Sequence, residues 1–413
     1  MMRLLQRHPE IVVVLAGVSA ALHVGKMSPA IPVLRDVLGV SLLQAGFLLS
    51  LVQFAGMLFG LVAGLAADGI GLKRSMLAGL TVLSIASALG ALAEHPAALL
   101  LLRACEGFGF LLTVMPGPGL IRRLAPRAQL QSALGMWGAY MPLGTAMALA
   151  TGPMVIDHVG WHGWWLLMAG LSSTMVVWVA LAIGPDGDPT PVAAADARRK
   201  APASPATWSL RIRRTLTARG PWLVALCFAL YSGQWLAVIG FLPSVVAQDG
   251  RFGTAAATLL ALAALVNVVG NVASGRLLQR GVPAWHLLAS GFSAMALGAV
   301  LAFADFGWDR SLDSVAALRY LGVLLFSMVG GLIPGTLFSL AVRLAPDESC
   351  ISTTVGWMQQ LSALGQFVGP PLVAWTAASA GGWQWTWVAT GSCCVLGLLV
   401  AREIHGQLNH AAG

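Results

Sequence analysis

The stretch 64-GLAADGIGLKRS-75 lies between two long apolar runs and gathers Asp68, Lys73 and Arg74 into one short turn. Gly60 and Gly64 stand one helical turn apart, a spacing that lets two helices approach closely. Gly69 and Gly71 permit a tight turn behind them. The segment therefore reads as a charged turn between closely packed apolar helices.

The rest of the chain has the same character. Of 413 residues, 57% are hydrophobic and 10% are charged, against about 25% charged in a soluble domain. Mean hydropathy is +0.79. Apolar runs of about 20 residues, enough to cross roughly 30 Å of hydrocarbon, recur along its length. We read twelve spans: 11–34, 41–67, 75–93, 96–119, 129–153, 163–184, 220–247, 254–278, 284–304, 316–342, 351–378 and 384–402. They are expected to be helices, because an isolated span must satisfy its own backbone in lipid. The short alternating segments of a β-barrel are absent. Arg3 and Arg7 before the first run resemble a signal peptide, but the run continues past Lys26 and Pro32 and is read as a retained span.

The formal charge of +8 does not imply a nucleic-acid partner. With the N-terminus inside, 18 of the 24 Lys and Arg fall in cytoplasmic segments, four outside and two (Lys26, Arg103) within spans. This is the positive-inside bias, which puts both termini in the cytoplasm of a bacterial-type inner membrane. Tryptophans 161, 164, 165, 383, 385 and 387 mark the outer interface and are expected to be anchors. The five cysteines suit neither an extracellular disulfide nor a metal site, and no cofactor motif is visible.

The segment PDGDPTPVAAADARRKAPASPATWSLRIRR, from Pro185, is the only long polar stretch. It divides the chain into a six-span half (1–184), a cytoplasmic linker (185–219) and a second six-span half (220–413). The halves copy each other. RLAP at 123–126 recurs at 343–346 and Trp137 recurs as Trp357, both at an offset of 220, while GWHGWW at 160 is echoed by GWQWTW at 382. A repeat of six spans keeps its orientation, so its axis lies along the membrane normal, an arrangement suited to rocking one half against the other around a midplane site.

Gly64, Ala67, Asp68, Gly71, Lys73 and Arg74 form the pattern G-x-x-A-D-x-x-G-x-K-R, which resembles the cytoplasmic signature of the major facilitator superfamily. Arg103, Glu106, Gly107 and Gly109 resemble its R-x-x-x-G-x-G element, with Arg103 and Glu106 spaced to pair on one helix face. The resemblance implies a monomeric secondary transporter and a conformational latch at Gly64, Asp68, Gly71, Lys73 and Arg74. Asp68 would face a helix N-terminus or a cation across the halves; its second-half counterpart is Leu278, so the latch is asymmetric. The antiporter element is incomplete in span five, where Ala148 and Leu149 replace Gly-Pro after Gly135 and Gly144. Span eleven carries it as Gly356, Gly365, Gly369 and Pro370. Antiport is correspondingly disfavoured.

Residues 23–30, HVGKMSPA, resemble span one of the cyanate and nitroimidazole permease branch, with Lys26 near that branch's arginine. Away from the span ends the charges within spans are Lys26, Arg103 and Glu106, a net +1, which favours an anionic or polar solute over a cationic one. Lys26 reads as a counter-ion, or alternatively as a lysine snorkelling outward. The other candidate substrate contacts are His23, Arg103, Trp137, Tyr140, Tyr231, Gln234, Trp357 and Gln360; Asn267 and Asn271 read as interhelical glue. Glu106 and His23 are the candidates for proton coupling.

The expected function is uptake of a small anionic or polar organic solute, with proton coupling open. Rivals are a proton-driven drug or metabolite exporter and a transporter-like sensor without turnover. Enzymatic motifs, including a P-loop, are absent.

Overall fold

The computed structural model describes residues 8–126, 133, 136–186, 208–249, 256–307 and 312–410, and the backbone alone at 63–70, 247–249, 349 and 409–410. Among these residues the regular structure is entirely helical. Ten helices are long and apolar enough to cross a membrane. Two further spans lie behind that number. The helix Tyr140–Ala182 merges spans five and six across Gly160, whose φ of 70° reverses the chain. Span eleven is the helix Ile351–Ser379, whose Gln359, Gln360, Ser362 and Gln366 lower its hydropathy. The twelve-span reading therefore holds.

Several spans are broken, which the hydropathy pattern does not reveal. Span one consists of Pro9–Gly25 and Met27–Leu38. Span two runs Leu42–Ser50, then a 3-10 turn at Leu51–Gln53, then Phe54–Ile70. Span three is Leu72–Gly90. Span four divides at Pro116 into Pro96–Val114 and Gly117–Leu124, and span ten at Gly331 into Asp313–Gly330 and Leu332–Arg343. Span seven is Arg219–Asp249, span eight Ala256–Leu265 plus Asn267–Gln279, span nine Ala284–Phe303 and span twelve Thr386–His410.

The repeat is visible in the packing. Spans three and four touch through Gly79 and Gly109, where a Cβ on Gly109 would lie 2.8 Å from the Gly79 carbonyl. Spans nine and ten touch through Gly298 and Gly322 in the same way, at 2.8 Å from the Gly298 carbonyl. In lipid no hydrophobic force drives helices together, so such close backbone contact supplies the association.

At the tryptophan-rich end the two halves meet in an apolar plug. Met27, Ile31, Leu34, Leu48 and Leu49 pack with Ala237, Phe241, Ala374 and Ala377. The expected anchor role of the tryptophans is corrected here: Trp161, Trp164, Trp165 and Trp383 are buried, and Trp385 is exposed. The first three fill the interior of the first half, where Trp164 donates to the Lys26 carbonyl and Trp165 lies against the Lys26 ammonium.

Candidate functional site

Span one cannot continue as one helix past Gly25. Pro29 and Pro32 offer no N–H to the carbonyls one turn earlier, and the chain breaks at Lys26. The exposed carbonyls are satisfied from other spans. Arg103 donates to the carbonyls of His23 and Val24, and its Nε donates to Leu48 C=O at 2.9 Å, next to the irregular turn of span two. Trp164 donates its indole N–H to Lys26 C=O at 3.0 Å. One guanidinium thus ties two interrupted helices together.

The side chains at the break form a buried cluster. Glu106 Oε2 accepts from Arg103 at 2.6 Å, and Glu106 Oε1 accepts from the Lys26 ammonium. Lys26 Nζ also donates to Ser87 Oγ at 2.9 Å and lies 4.7 Å from the centre of the Trp165 ring. His23 Nε2 and Ser172 Oγ are 2.7 Å apart, while His23 Nδ1 makes no hydrogen bond and stands 3.6 Å from Glu106 Oε1. His23 and Lys26 are 0% exposed, so Lys26 points inward and does not snorkel. Unpaired, each buried ion would cost several kcal/mol; here two cations share one carboxylate, leaving a net +1. The span-charge count missed Glu10, buried at the basic end of span one beside His8.

Between the halves, on the basic-end side of the plug, lies a cavity of about 180 Å³. Spans two, four and five line it from the first half, and spans seven, eight, ten and eleven from the second. Among the described residues its lining includes no Asp, Glu, Lys, Arg or His. The polar groups are hydroxyls and amides. Gln53 donates to Gln366 Oε1 at 3.0 Å across the two halves, and Gln366 donates to Ser362 Oγ at 3.2 Å. Asn267 donates to Tyr231 Oη at 2.9 Å, and Asn271 to Asn267 Oδ1 at 2.9 Å. Trp137 stacks on Tyr140 with ring centres 4.8 Å apart, and is seated where Gly17 and Gly117 leave room for its ring.

The candidate residues thus separate into three groups. Trp137, Tyr140 and Tyr231 line the cavity; His23, Lys26, Arg103 and Glu106 come together in the buried cluster and do not line it. Gln234, Trp357 and Gln360 lie elsewhere. Gln234 donates to Leu230 C=O and accepts from Cys394 in a groove between spans seven, eleven and twelve. Trp357 packs edge-on against Trp222. Gln360 bridges the halves: its Nε2 donates to Met57 C=O at 2.8 Å and its Oε1 accepts from Leu61 N–H at 2.9 Å, with Gly60 allowing the approach. Gln53, Gln359 and Gln366 line the cavity and were not singled out in the sequence. A glutamine inside an apolar run was the available signal.

The charged turn has a local role that sequence spacing did not show. Gly71, with φ of 102°, is the N-cap of span three and has no side chain with which to cap it. Asp186, beyond span six, does so instead, accepting from the backbone N–H of Lys73 and of Arg74, both at 3.0 Å. Lys73 Nζ in turn donates to the carbonyls of Ala180 and Ile183 at the end of span six. Arg123 pairs with Asp186 at 3.2 Å. Burial pushes the Asp186 carboxyl up, but the two backbone N–H groups and Arg123 outweigh it and hold it below its ordinary value. These contacts join the start of the linker to the first half and do not reach the second. The side chain of Asp68 and the region of Gly64 lie outside the described side chains.

Comparison with known proteins places this architecture. The Major Facilitator Superfamily model matches residues 13–359, and the chain belongs to that superfamily of membrane transporters. Among individual relatives, it is 25% identical over 407 residues to the cyanate transport protein CynX of Escherichia coli K12, covering 94% of this chain and 95% of that one. It is 26% identical over 388 residues to the 2-nitroimidazole transporter of the same organism, covering 91% and 88%. A bacterial homologue of the human lysosomal transporter Spinster, in an inward-facing, unoccupied conformation, has the same fold, with a TM-score of 0.75, 16% identity and 96% of each chain covered. The protein is a multi-pass secondary transporter and not an enzyme.

Proposed function

We propose that the protein takes up a small, polar, uncharged organic solute across a bacterial inner membrane by alternating access. The observation that carries this is the cavity between the halves, where, among the described residues, amides, hydroxyls and aromatic rings supply the polar lining and no formal charge does. At about 180 Å³ it is smaller than the roughly 300–1,000 Å³ of drug-sized pockets, which argues against a bulky exported drug. Trp137, Tyr140, Tyr231, Gln53, Gln359 and Gln366 would contact the solute. The two relatives that align over nearly the whole chain carry names of small flat solutes, cyanate and 2-nitroimidazole, in keeping with that size.

An anionic solute is the second reading, favoured by the net +1 of the Lys26, Arg103 and Glu106 cluster. Lys26 would then act through its field, since its ammonium is occupied by Glu106 and Ser87. His23, whose Nδ1 is free beside Glu106, is the group we assign to proton coupling. On this reading both termini and the 185–219 linker would lie in the cytoplasm, with halves at 1–184 and 220–413, as the positive-inside bias suggests. The opening turn, through Asp68, is retained as a latch between conformations.

A thermal-shift screen of the purified protein against neutral heterocycles, small anions and cationic drugs tests the reading. Stabilisation by a neutral heterocycle, lost in Gln366→Ala and kept in Lys26→Met, supports it. Stabilisation by anions alone, lost in Lys26→Met, would replace it with the second reading.

A further inference from the structure

Gln234 was singled out by the sequence, yet it sits away from the cavity, in the floor of a groove between spans seven, eleven and twelve. The groove exists because three glycines remove side chains from the helix contact. A Cβ on Gly365 would lie 2.2 Å from the Ala229 carbonyl, and one on Gly369 2.3 Å from the Gly233 carbonyl. Spans seven and eleven therefore touch backbone to backbone. The larger neighbours Leu226, Leu364, Val368 and Leu396 stand up on either side as an exposed rim. The open groove has a volume of about 460 Å³.

We propose that this groove holds one acyl chain of a membrane phospholipid, with the headgroup at Arg219 and Glu403. Three observations select that occupant. The polar groups inside are already satisfied: Gln234 donates to Leu230 C=O at 2.9 Å and accepts from Cys394, and Thr390 donates to Thr386 C=O at 3.1 Å. A polar solute would find nothing to bind, whereas hydrocarbon leaves nothing unpaired. The length also fits. The lining runs from Leu226 to Gln234 on span seven and from Ala389 to Val400 on span twelve, which is about 12–17 Å at 1.5 Å per residue. That is half of the roughly 30 Å hydrocarbon core, one leaflet deep.

The third observation is the mouth. Continuing each lining face toward the basic end leads to Arg219, seven residues before Leu226, and to Glu403, three after Val400. These two form an ion pair that bridges spans seven and twelve, with side chains 69% and 57% exposed. Arg219 suits a phosphate, and Glu403 beside it suits the ammonium of a zwitterionic headgroup. The lipid would lie against the other face of spans seven and eleven from the one that lines the solute cavity, so this inference stands apart from the transport reading.

Native mass spectrometry of the full chain, delipidated in detergent and then given phosphatidylethanolamine, tests it. The variants are Cys393→Phe and Ala389→Phe, which fill the groove from span twelve, and Arg219→Gln at the mouth. The wild type should retain one phosphatidylethanolamine. Each phenylalanine variant should lose retention by about tenfold for every two methylenes expelled, and Arg219→Gln by a few-fold. If Cys393→Phe does not fold, Ala389→Phe carries the test. Equal retention by wild type and the folded filled variants, or none by the wild type, would overturn the proposal. Solute binding in the thermal-shift screen should be unchanged in all three, which separates a failure here from a failure of the transport reading.

Discussion

The two halves share a backbone plan and differ in what they bury. At the offset of 220 that relates RLAP to RLAP, Arg103 corresponds to Val323 and Glu106 to Phe326. Corresponding spans also meet through glycines, Gly79 on Gly109 and Gly298 on Gly322, although Gly322 is not at the position that the offset gives for Gly109. The first half nevertheless packs a four-member ionisable cluster around a broken helix. The second half answers with neutral bonds, Trp235 to Ser327 Oγ at 3.1 Å and Asn267 to Ser327 C=O at 2.8 Å. Packing by small residues is a geometric requirement that both copies must meet. In the first half the buried charge sits at the span-one break, where Arg103 bonds the open carbonyls of His23 and Val24 and Glu106 balances one of the two cations.

Breaking that cluster should have the largest effect. Glu106→Gln leaves Lys26 and Arg103 buried together without a carboxylate, and should cost about 3–5 kcal/mol of stability, read as a fall in melting temperature. Lys26→Met with Glu106→Leu should recover only part of the loss, because the buried charge returns to +1 while Arg103 stays on backbone carbonyls without its carboxylate. The glycine contacts sharpen the other side of the comparison. Gly109→Ala and Gly322→Ala should destabilise by similar amounts, about 1–3 kcal/mol each. Unequal costs would mean that the halves do not share a plan.

Between the halves, Gln366→Ala removes a cavity amide without touching the cluster. It should raise the KM for transport about tenfold, or roughly 1.4 kcal/mol, while the melting temperature stays near that of the wild type. The smallest effect is expected at Asp186. Asp186→Ala removes the cap of span three and should cost about 1 kcal/mol at neutral pH. Because the Asp186 carboxyl is held below its ordinary 3.8 in the folded protein, its contribution is present at neutral pH. It is lost as pH falls through that lowered value. Melting temperatures of wild type and variant should therefore differ at pH 7 and converge below pH 3.8.

The twelve spans and the repeat were legible because hydropathy and exact sequence echoes are local or periodic signals. The Gly160 reversal and the polar span eleven agree with that reading even though they hide two spans from a length criterion. The helix breaks at Lys26 and Gly331 were not legible. They depend on carbonyls finding donors from distant spans, such as Arg103 on His23, 80 residues away. Trp164 and Trp165 were misread for the same reason, since an interfacial tryptophan and one that caps an interior carbonyl look alike in sequence. In the candidate site, Trp137, Tyr140 and Tyr231 were visible as polar aromatics on cavity-forming spans. Gln53 and Gln366 were not, because their facing pair joins residues 313 positions apart.

The most direct test of the central claim, an uncharged solute site between the halves, is flux into proteoliposomes. A small neutral azole and a small organic anion would each be offered to the wild type, Gln366→Ala and Lys26→Met/Glu106→Leu. The account predicts saturable flux of the azole that falls about tenfold at sub-saturating concentration in Gln366→Ala and persists in the double variant. Flux of the anion alone, unchanged by Gln366→Ala and abolished when the charged pair is removed, would contradict it.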